Sequence, residues 1–390
     1  MRPLLILLFL SPALTFQSAP LDIEVRARST ILMNADTGAV LFEKGAHEQA
    51  NPASTTKIAT ALYVLAHNID LNQFATVSRE SQKGGAVHGK NKISPHWLES
   101  DGTMMRIKVG EILTLESLLH GLMLVSGNDA ANVIAEHVGG TIPQFMDLLN
   151  GYLKEIGCKN TNFTNPHGLT HPEHWTTAYD LALMTRKALQ IPKFRQIVST
   201  LCFMRPATNK QPASELKLTN PLMRPASRYY YSKAIGVKSG YTQAAQHSLV
   251  AAAEHDGRRL IAVLLGCEQR GDRFEDAKKL FEKAFAEEKA TRRLVGPETV
   301  FRRQVAGSKS DLKAVVMKPV AISFFPSEEP RCKAALHWAV LEAPVAKGQK
   351  VGEIHVLDEQ GALLQKGDLV ALEEVKGSFF FLLKKKIFRF

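Results

Sequence analysis

The chain is organised around one stretch, Asn51-Pro52-Ala53-Ser54-Thr55-Thr56-Lys57-Ile58-Ala59-Thr60. Pro52 and Ser54 stand where a helix would begin, and good helix formers follow them. Residues three apart share a face of a helix, so the Ser54 hydroxyl and the Lys57 amine can meet. Lysine can remove the proton of a serine hydroxyl when burial or a nearby cation lowers its pKa. The stretch therefore predicts an activated serine, with an N-cap serine and a solvated lysine as the alternative.

A Ser-x-x-Lys spacing is not decisive alone, because the chain repeats it at Ser214 and at Ser310. A second stretch, Ser126-Gly127-Asn128, adds to it. It breaks an apolar helix predicted over residues 114–125 from another predicted over 129–137. Polar side chains at such a break are costly unless they are hydrogen-bonded, so Ser126 and Asn128 are candidates for a site. The alternative is a helix-to-helix turn with a Ser/Asn cap.

A third stretch, Lys238-Ser239-Gly240, lies in a strand-like run over residues 234–242. Two further apolar runs follow at 247–253 and 260–266, and Asp256-Gly257 between them predicts a hairpin turn. These three runs should pair antiparallel as neighbours. A hairpin is also predicted over residues 29–42, and a charged amphipathic helix over 274–288 closes this part of the chain.

The histidines give weaker signals. Residues 68–103 are polar and rich in glycine, which predicts a long excursion over the surface. His88, His96 and Trp97 lie there without partner spacing, so they are predicted to be surface residues rather than ligands. His167 looks most like a candidate base, but a loop residue that bonds the backbone is the favoured interpretation.

Composition narrows the class of protein. The chain has 390 residues, 45% of them hydrophobic, which is enough for two or three domains with a sizeable core. Its net charge of +11 suits nucleic acid, an anionic membrane surface or an acidic polymer. Nucleic acid is disfavoured because no zinc-ligand spacing, nucleotide loop or aromatic-basic RNA motif appears. The four cysteines form no disulfide framework or metal cluster, although one bridge or free buried thiols are both possible.

The two ends of the chain predict export and membrane attachment. Residues 1–19 combine a positive start, an apolar run and small residues, which is typical of a secretory signal peptide, with a buried N-terminal helix as the alternative. Pro20 leaves the cleavage point open. Residues 293–376 carry short alternating runs and predict a small β-rich domain. The tail, 377–390, is aromatic and basic and predicts an interfacial anchor, with a last strand and a solvated end as the alternative.

The three stretches occur in the order Ser-x-x-Lys, Ser-x-Asn and Lys-Ser-Gly, on a helix start, a kink and a strand. In this the chain resembles the penicillin-interacting serine acyl-transfer enzymes. It is most similar to the low-molecular-mass penicillin-binding proteins that are D-alanyl-D-alanine carboxypeptidases. Further matching stretches are Ala35-Asp36-Thr37-Gly38, Asn165-Pro166-His167-Gly168-Leu169 and Gly236-Val237-Lys238-Ser239-Gly240-Tyr241-Thr242. The resemblance implies an α/β (α+β) domain of the serine transpeptidase/β-lactamase type with an antiparallel sheet, over residues 20–292, followed by the small all-β domain.

The resemblance also implies roles for the site residues. Ser54 is the nucleophile that forms the acyl-ester, Lys57 the general base, Ser126 a proton relay, and Asn128 a holder of substrate or of Lys57. Backbone N–H groups of Ser54 and Tyr241 form the oxyanion hole. No metal or cofactor is needed. The substrate is held by residues of the third motif and those that follow it, Lys238, Ser239, Gly240, Tyr241 and Thr242.

The implied function is removal of the terminal D-alanine from peptidoglycan stem peptides, inhibited by β-lactams, in a periplasmic location at the outer face of the cytoplasmic membrane. A DD-endopeptidase or a non-catalytic peptidoglycan-binding scaffold are alternatives. A β-lactamase of class A is disfavoured because no Glu-x-x-x-Asn stretch lies between Ser126 and Lys238. Two residues depart from the family pattern: Ser239 stands where many relatives have Thr, and Tyr241 where some have His.

Overall fold

Two structural units make up the chain. One comprises residues 20–286, and the other comprises residues 1–19 together with 287–390. The computed structural model describes residues 6–8, 21–84, 94–308 and 310–379. Most of the predicted signal peptide and all but the first residues of the predicted membrane tail therefore lie outside the described residues. Within the described ranges, no helix has the length and apolar character needed to cross a bilayer.

The described part of the first unit contains both helices and strands, and that of the second consists almost entirely of strands. The helices of the described residues are α1 (Lys57–Ala66), α2 (Leu115–Leu124), α3 (Asn128–Gly139), α4 (Ile142–Glu155), α5 (Ala178–Leu189), α6 (Pro192–Ser199) and α7 (Asp272–Phe285). The strands are β1 (Ile6–Leu8), β2 (Ser29–Asn34), β3 (Val40–Lys44), β4 (Phe74–Thr76), β5 (Ile112–Thr114), β6 (Cys202–Arg205), β7 (Ser214–Lys217), β8 (Ala234–Thr242), β9 (Gln246–His255), β10 (Arg258–Cys267), β11 (Ala290–Val295), β12 (Phe301–Arg303), β13 (Leu312–Val316), β14 (Val320–Phe324), β15 (Cys332–Trp338), β16 (Lys350–Asp358) and β17 (Leu363–Ala371).

The main sheet of the first unit is antiparallel, with strand order β3-β2-β10-β9-β8. The predicted neighbours are confirmed: β8 pairs with β9, β9 with β10, and the early hairpin forms between β2 and β3. The middle residues of β9 and β10 are buried on both faces, because α5 packs against β10 and β2, while α7 packs against β9 and β10. β8 is left as an edge strand. Its outer edge can therefore accept an added strand.

α1 is the central helix of the first unit. Residues 57–65 are all buried, as expected for a helix that is apolar on every side. It contacts each of α2 to α6. The predicted break between α2 and α3 is confirmed, and Thr114 caps α2 by accepting from the backbone N–H of Ser117. α6 and the β6–β7 hairpin were not predicted.

The start of α1 differs from the predicted N-cap. Ser54 lies inside a 3-10 turn, Ala53–Thr56, and α1 proper begins at Lys57. Pro52 occupies the position before the turn and makes no side-chain cap. The alternative of Ser54 as a capping residue is therefore wrong, and its hydroxyl is free for other contacts.

The predicted surface excursion packs over α3. His96 is buried, so its prediction as a surface residue is wrong. The side chain of Asn132 is fully buried in α3, and its amide donates to the carbonyl oxygens of His96 at 2.9 Å and Ser81 at 3.1 Å. A buried amide needs such partners, and this draws the loop inward. His88 lies outside the described residues.

The second unit is all-β in the residues described, which confirms that part of the predicted fold. β1, β15, β16, β17, β13 and β12 form one sheet in that order, and β11 pairs with β14. Its core is aliphatic with Trp338, and it is separate from the core of the first unit. Of the two cysteine alternatives, the disulfide bridge does not form. All four thiols are free, and those of Cys158 and Cys267 are buried.

Candidate active site

The Ser54 turn is held between two glycines. Ala53, directly before it, has a positive φ of 50°. A Cβ on Gly168 would lie 1.9 Å from the carbonyl oxygen of Ala53, and a Cβ on Gly240 would lie 2.9 Å from the backbone nitrogen of Ser54. Only glycine permits such close approach of backbone on both sides. The loop after Asn165 and strand β8 thereby fix the peptide group that leads into Ser54.

Lys57 makes three polar contacts with its amine. Nζ lies 3.0 Å from Ser54 Oγ, 2.6 Å from Asn128 Oδ1 and 2.7 Å from the carbonyl oxygen of His167. The last two atoms can only accept hydrogen bonds. A neutral amine has two N–H groups and one lone pair, so donating to both acceptors leaves the lone pair for the third contact. In that state the Ser54 hydroxyl donates to Lys57, which is the arrangement a general base requires.

Electrostatics favour that neutral state. Burial holds the pKa of Lys57 well below its usual value, and the nearby charge of Lys238 lowers it further. The carboxylate of Asp129 acts in the opposite direction. Because the lowered pKa keeps the resting amine neutral, its lone pair is available to accept the serine proton.

The α2–α3 kink brings the second motif to Lys57. Ser126 has a positive φ of 63° and is buried. Its carbonyl oxygen accepts from Thr103 Oγ1 at 2.8 Å, while the Asn128 N–H donates to the carbonyl of Thr103 at 2.9 Å. These bonds pair backbone polar groups that the break between the helices exposes, and they orient the Asn128 amide toward Lys57 Nζ. Ser126 lies in the same kink, two residues before Asn128.

The side chain of Asp129 hydrogen-bonds the loop at residues 105–107 to this kink. Its carboxylate accepts from the backbone N–H groups of Met105 at 2.8 Å and Ile107 at 3.2 Å. Burial raises the pKa of the Asp129 carboxyl. The sequence analysis assigned no role to Asp129.

Strand β8 carries the third motif along the edge of the sheet. Lys238 is buried and its Nζ donates to the carbonyl of Ser239 at 2.8 Å, whereas the side chain of Ser239 is half-exposed. Burial and the charge of Arg273 lower the pKa of Lys238 to about 7. Lys238 thus lacks a protein anion as partner among these contacts. A cation of this kind is suited to an anion brought by a ligand.

Arg273 is a site residue that sequence reasoning missed. It lies on α7, and its Nη1 donates to the carbonyl oxygens of Gly240 at 2.6 Å and Ser248 at 3.0 Å. These bonds tie the glycine of the third motif to β9. Only the fold brings α7 to this strand, so no local pattern could have identified it.

The end of β8 forms an exposed rim. Tyr241 is 59% exposed and stacks on His247, with ring centroids 4.5 Å apart. Thr242 accepts a hydrogen bond from Thr170 Oγ1 at 3.1 Å, which joins the strand to the loop after Gly168. His167, in that loop, is confirmed as a backbone-bonding residue, since its Nδ1 accepts from the Leu169 N–H at 3.2 Å.

Comparisons with known proteins show which enzymes this chain is similar to. A family model described as D-alanyl-D-alanine carboxypeptidase matches residues 14–269, and one described as the C-terminal domain of penicillin-binding protein 5 matches residues 297–377. The chain is 30% identical to D-alanyl-D-alanine carboxypeptidase DacF of Bacillus subtilis, over 92% of this chain and 88% of that protein. It is 32% identical to DacD of Salmonella typhimurium, over 95% of this chain and 93% of the relative. The crystal structure of penicillin-binding protein 5 from Haemophilus influenzae superposes with a TM-score of 0.62, at 26% identity, covering 91% of this chain and 98% of that one.

Proposed function

The chain belongs to the D-alanyl-D-alanine carboxypeptidase family of serine peptidases, and we propose from this premise that Ser54 is its nucleophile and Lys57 its general base. The membership confirms the resemblance found in the sequence and makes the protein a hydrolase of the penicillin-binding class. The substrate of this family is a peptidoglycan stem peptide that ends in D-Ala-D-Ala. The roles of Ser54, Lys57 and Asn128 are proposed from their contacts, whereas the relay by Ser126 and the oxyanion donors are proposed from the family resemblance.

One observation carries the proposal: the amine of Lys57 lies 3.0 Å from the Ser54 hydroxyl and its other two contacts are with oxygen acceptors. In acylation, Ser54 Oγ attacks the carbonyl carbon of the penultimate D-alanine while Lys57 takes the hydroxyl proton. The carbonyl oxygen becomes an oxyanion, for which the backbone N–H groups of Ser54 and Tyr241 are the proposed donors. The C–N bond then breaks, and Ser126 relays a proton to the departing D-alanine nitrogen. Water attacks the acyl-ester in the same way and frees Ser54.

The third motif is proposed to bind the substrate. Lys238 and the hydroxyl of Ser239 suit the terminal carboxylate, which would supply an anion that Lys238 does not find among the described residues. The stem peptide would lie along the free edge of β8, where Gly240 allows close approach of its backbone. Tyr241 and Thr242, the last two residues of β8, would contact the peptide where it leaves the strand. A β-lactam carries a carboxylate near its reactive carbonyl and would occupy the same contacts, leaving a stable acyl-ester on Ser54.

We propose a periplasmic location at the membrane surface. The support is the sequence alone: a signal peptide over residues 1–19 and an aromatic, basic tail over residues 377–390. We also propose a catalytic domain over 20–292 and a β-rich domain over 293–376. The structure divides between residues 286 and 287, close to the proposed boundary at 292, and this supports two domains.

The test is release of D-alanine from a peptide ending in D-Ala-D-Ala, measured beside labelling with a fluorescent penicillin. Ser54→Ala should lose both, and mass spectrometry of the native adduct should place it on Ser54. Ser310→Ala is the matched control, because Ser310 also begins a Ser-x-x-Lys spacing but lies in the β-rich unit. Labelling without release would instead indicate an endopeptidase or transpeptidase. If the native protein shows no labelling and no release, the proposal is overturned in favour of a scaffold.

A further inference from the structure

A buried line of hydrogen bonds runs from His174 to the peptide group in front of Ser54. His174 and Thr56 are 1% and 0% exposed. The Nε2 atom of His174 lies 2.9 Å from Thr56 Oγ1, and Thr56 Oγ1 lies 2.9 Å from the carbonyl oxygen of Ala53. At the other side of the ring, Nδ1 accepts from the backbone N–H of Thr164 at 3.0 Å. None of these contacts was expected from the sequence.

The direction of every bond in this line is fixed by its two ends. A backbone N–H can only donate, so Nδ1 of His174 is the acceptor and the ring proton resides on Nε2. Nε2–H therefore donates to Thr56 Oγ1. The Thr56 hydroxyl then uses its own proton for the Ala53 carbonyl, which can only accept. The ring stacks on Phe163, with centroids 4.9 Å apart, so its orientation is fixed by packing as well.

The ring stays neutral throughout the working range of pH. Burial lowers the pKa of His174 to about 3, and the charges of His171 and Lys57 act in the same direction. Protonation would place a hydrogen on Nδ1, opposite the N–H of Thr164, and break the first bond of the line. The line therefore does not switch with pH, and its role is to hold a geometry.

That geometry concerns the group that binds the oxyanion. The carbonyl of Ala53 and the N–H of Ser54 belong to one planar peptide unit, so fixing the oxygen fixes the direction of the N–H. Donation to the carbonyl also polarises the unit and strengthens the N–H as a donor. We propose that His174 and Thr56 are positioning residues, which orient and polarise the Ala53–Ser54 peptide so that its N–H stabilises the oxyanion of both acylation and deacylation.

This inference rests on the proposed function, because it takes the Ser54 N–H as an oxyanion donor. It explains why Ala53 can hold a positive φ next to the nucleophile: Thr56 bonds its carbonyl, and the backbone of Gly168 lies against the same oxygen. A residue that acts on the oxyanion must change transition-state binding. It should leave the affinity for unreacted substrate almost unchanged.

The experiment compares Thr56→Val, which keeps the shape but removes the hydroxyl, with Thr56→Ser, which keeps the hydroxyl. The readouts are kcat and KM for D-alanine release, and the inhibition constant of a peptide boronic acid with boron in place of the scissile carbonyl carbon. Ser54 Oγ bonds to that boron, its proton passes to Lys57, and the tetrahedral anion presents an oxygen to the oxyanion hole. Thr56→Val should lower kcat and boronate affinity in parallel by about 10-fold to 100-fold, short of the loss from removing a donor outright. KM should change little, and Thr56→Ser should recover most of the loss.

Thr185→Val is the matched control. Thr185 is also a fully buried helical threonine, and its hydroxyl donates to the carbonyl of Leu181 within α5 at 2.7 Å. It should cost similar thermal stability while leaving boronate affinity and kcat close to native. His174→Phe keeps the ring stacked on Phe163 and serves if Thr56→Val does not fold. It should weaken boronate binding in the same direction by a smaller factor.

The inference is overturned if Thr56→Val, or His174→Phe in its place, binds the boronate as tightly as native protein. It is also overturned if KM rises and kcat stays constant, or if Thr185→Val weakens the boronate as much as Thr56→Val. Failure of the proposed function looks different, since neither native protein nor any variant would then be acylated by penicillin at Ser54, and both proposals would fall together.

Discussion

The amide oxygen of Asn128 lies 2.6 Å from the amine nitrogen of Lys57, in a fully buried contact. An amide oxygen orients an N–H group without carrying a charge, so it directs the amine while leaving its pKa low. A carboxylate in the same place would orient the amine equally well and would keep it protonated. The choice of asparagine here therefore bears directly on whether Lys57 can act as a base.

Asn128→Asp should slow acylation by penicillin by about 10-fold or more at pH 7, because the carboxylate raises the pKa of Lys57. The loss should shrink as pH rises, since Lys57 then loses its proton again. Stopped-flow acylation rates from pH 6 to 10 measure this. Asn128→Ala is the control: it removes the acceptor without adding charge, so its loss should be similar at every pH. Identical profile shapes for Asn128→Asp and native protein would contradict the prediction.

Lys238 should set the alkaline limit of substrate capture. Its pKa is about 7 in the unliganded protein, and only the protonated amine attracts the terminal carboxylate of the substrate. We expect kcat/KM for D-Ala-D-Ala peptides to fall as pH rises above about 7, because kcat/KM reports the free enzyme. In the complex the bound carboxylate raises the pKa of Lys238, so kcat should fall only at higher pH.

Lys238→Arg separates this effect from other titrations. A guanidinium stays protonated, so the alkaline fall in kcat/KM should move upward even if the overall rate is lower. Steady-state kinetics from pH 6 to 10 on both proteins decide the matter. An alkaline limb that is the same in Lys238→Arg and in native protein would show that another group controls it.

Local pattern was sufficient for much of the fold. The apolar runs and the Asp256-Gly257 turn predicted the pairing of β8, β9 and β10 correctly, because apolar runs and turn chemistry are properties of neighbouring residues. The break at Ser126 was also visible, since polar residues interrupted an apolar helix. The approach of Ser54 and Lys57 followed from their spacing alone.

Contacts between distant segments were not predictable in this way. The carbonyl of His167 reaches Lys57 across 110 positions of the chain, and Arg273 reaches Gly240 across 33. No periodicity encodes which loop packs over which helix. The same limit explains the error at His96, whose burial depends on the amide of Asn132. Ala53 shows a further limit, because a positive φ at a residue other than glycine is imposed by its surroundings.

The tail at residues 377–390 is expected to bind anionic lipid. A chain ending at Ser378 should keep native D-alanine release on a soluble peptide but lose co-sedimentation with vesicles that contain phosphatidylglycerol. Replacing Lys384, Lys385 and Lys386 with glutamine in the full chain should weaken binding by about 1 kcal/mol per charge, while leaving the aromatic residues in place. Sedimentation of the truncated chain with the vesicles at the native level would rule out the anchor.

Gly168→Ala should damage both stability and activity, because two separate costs meet at this residue. Its φ of +95° is unfavourable for a residue with a Cβ, at about 1–3 kcal/mol. The added methyl would also lie 1.9 Å from the carbonyl oxygen of Ala53, and such overpacking costs about another 1–3 kcal/mol. We expect the free energy of unfolding to fall by about 2–6 kcal/mol, with a fall in kcat as the Ala53–Ser54 peptide is displaced.

Gly257→Ala tests the free-energy cost of a positive φ without the added steric contact. Gly257 has a φ of +74° in the β9–β10 turn, and nothing lies within 4 Å of the position that its Cβ would take. It should lose about 1–3 kcal/mol by chemical denaturation and keep native kcat. The difference between the two variants then measures the contact between Gly168 and Ala53. Equal losses of stability, with native kcat in both, would mean that the loop yields to the methyl group and does not brace the nucleophile.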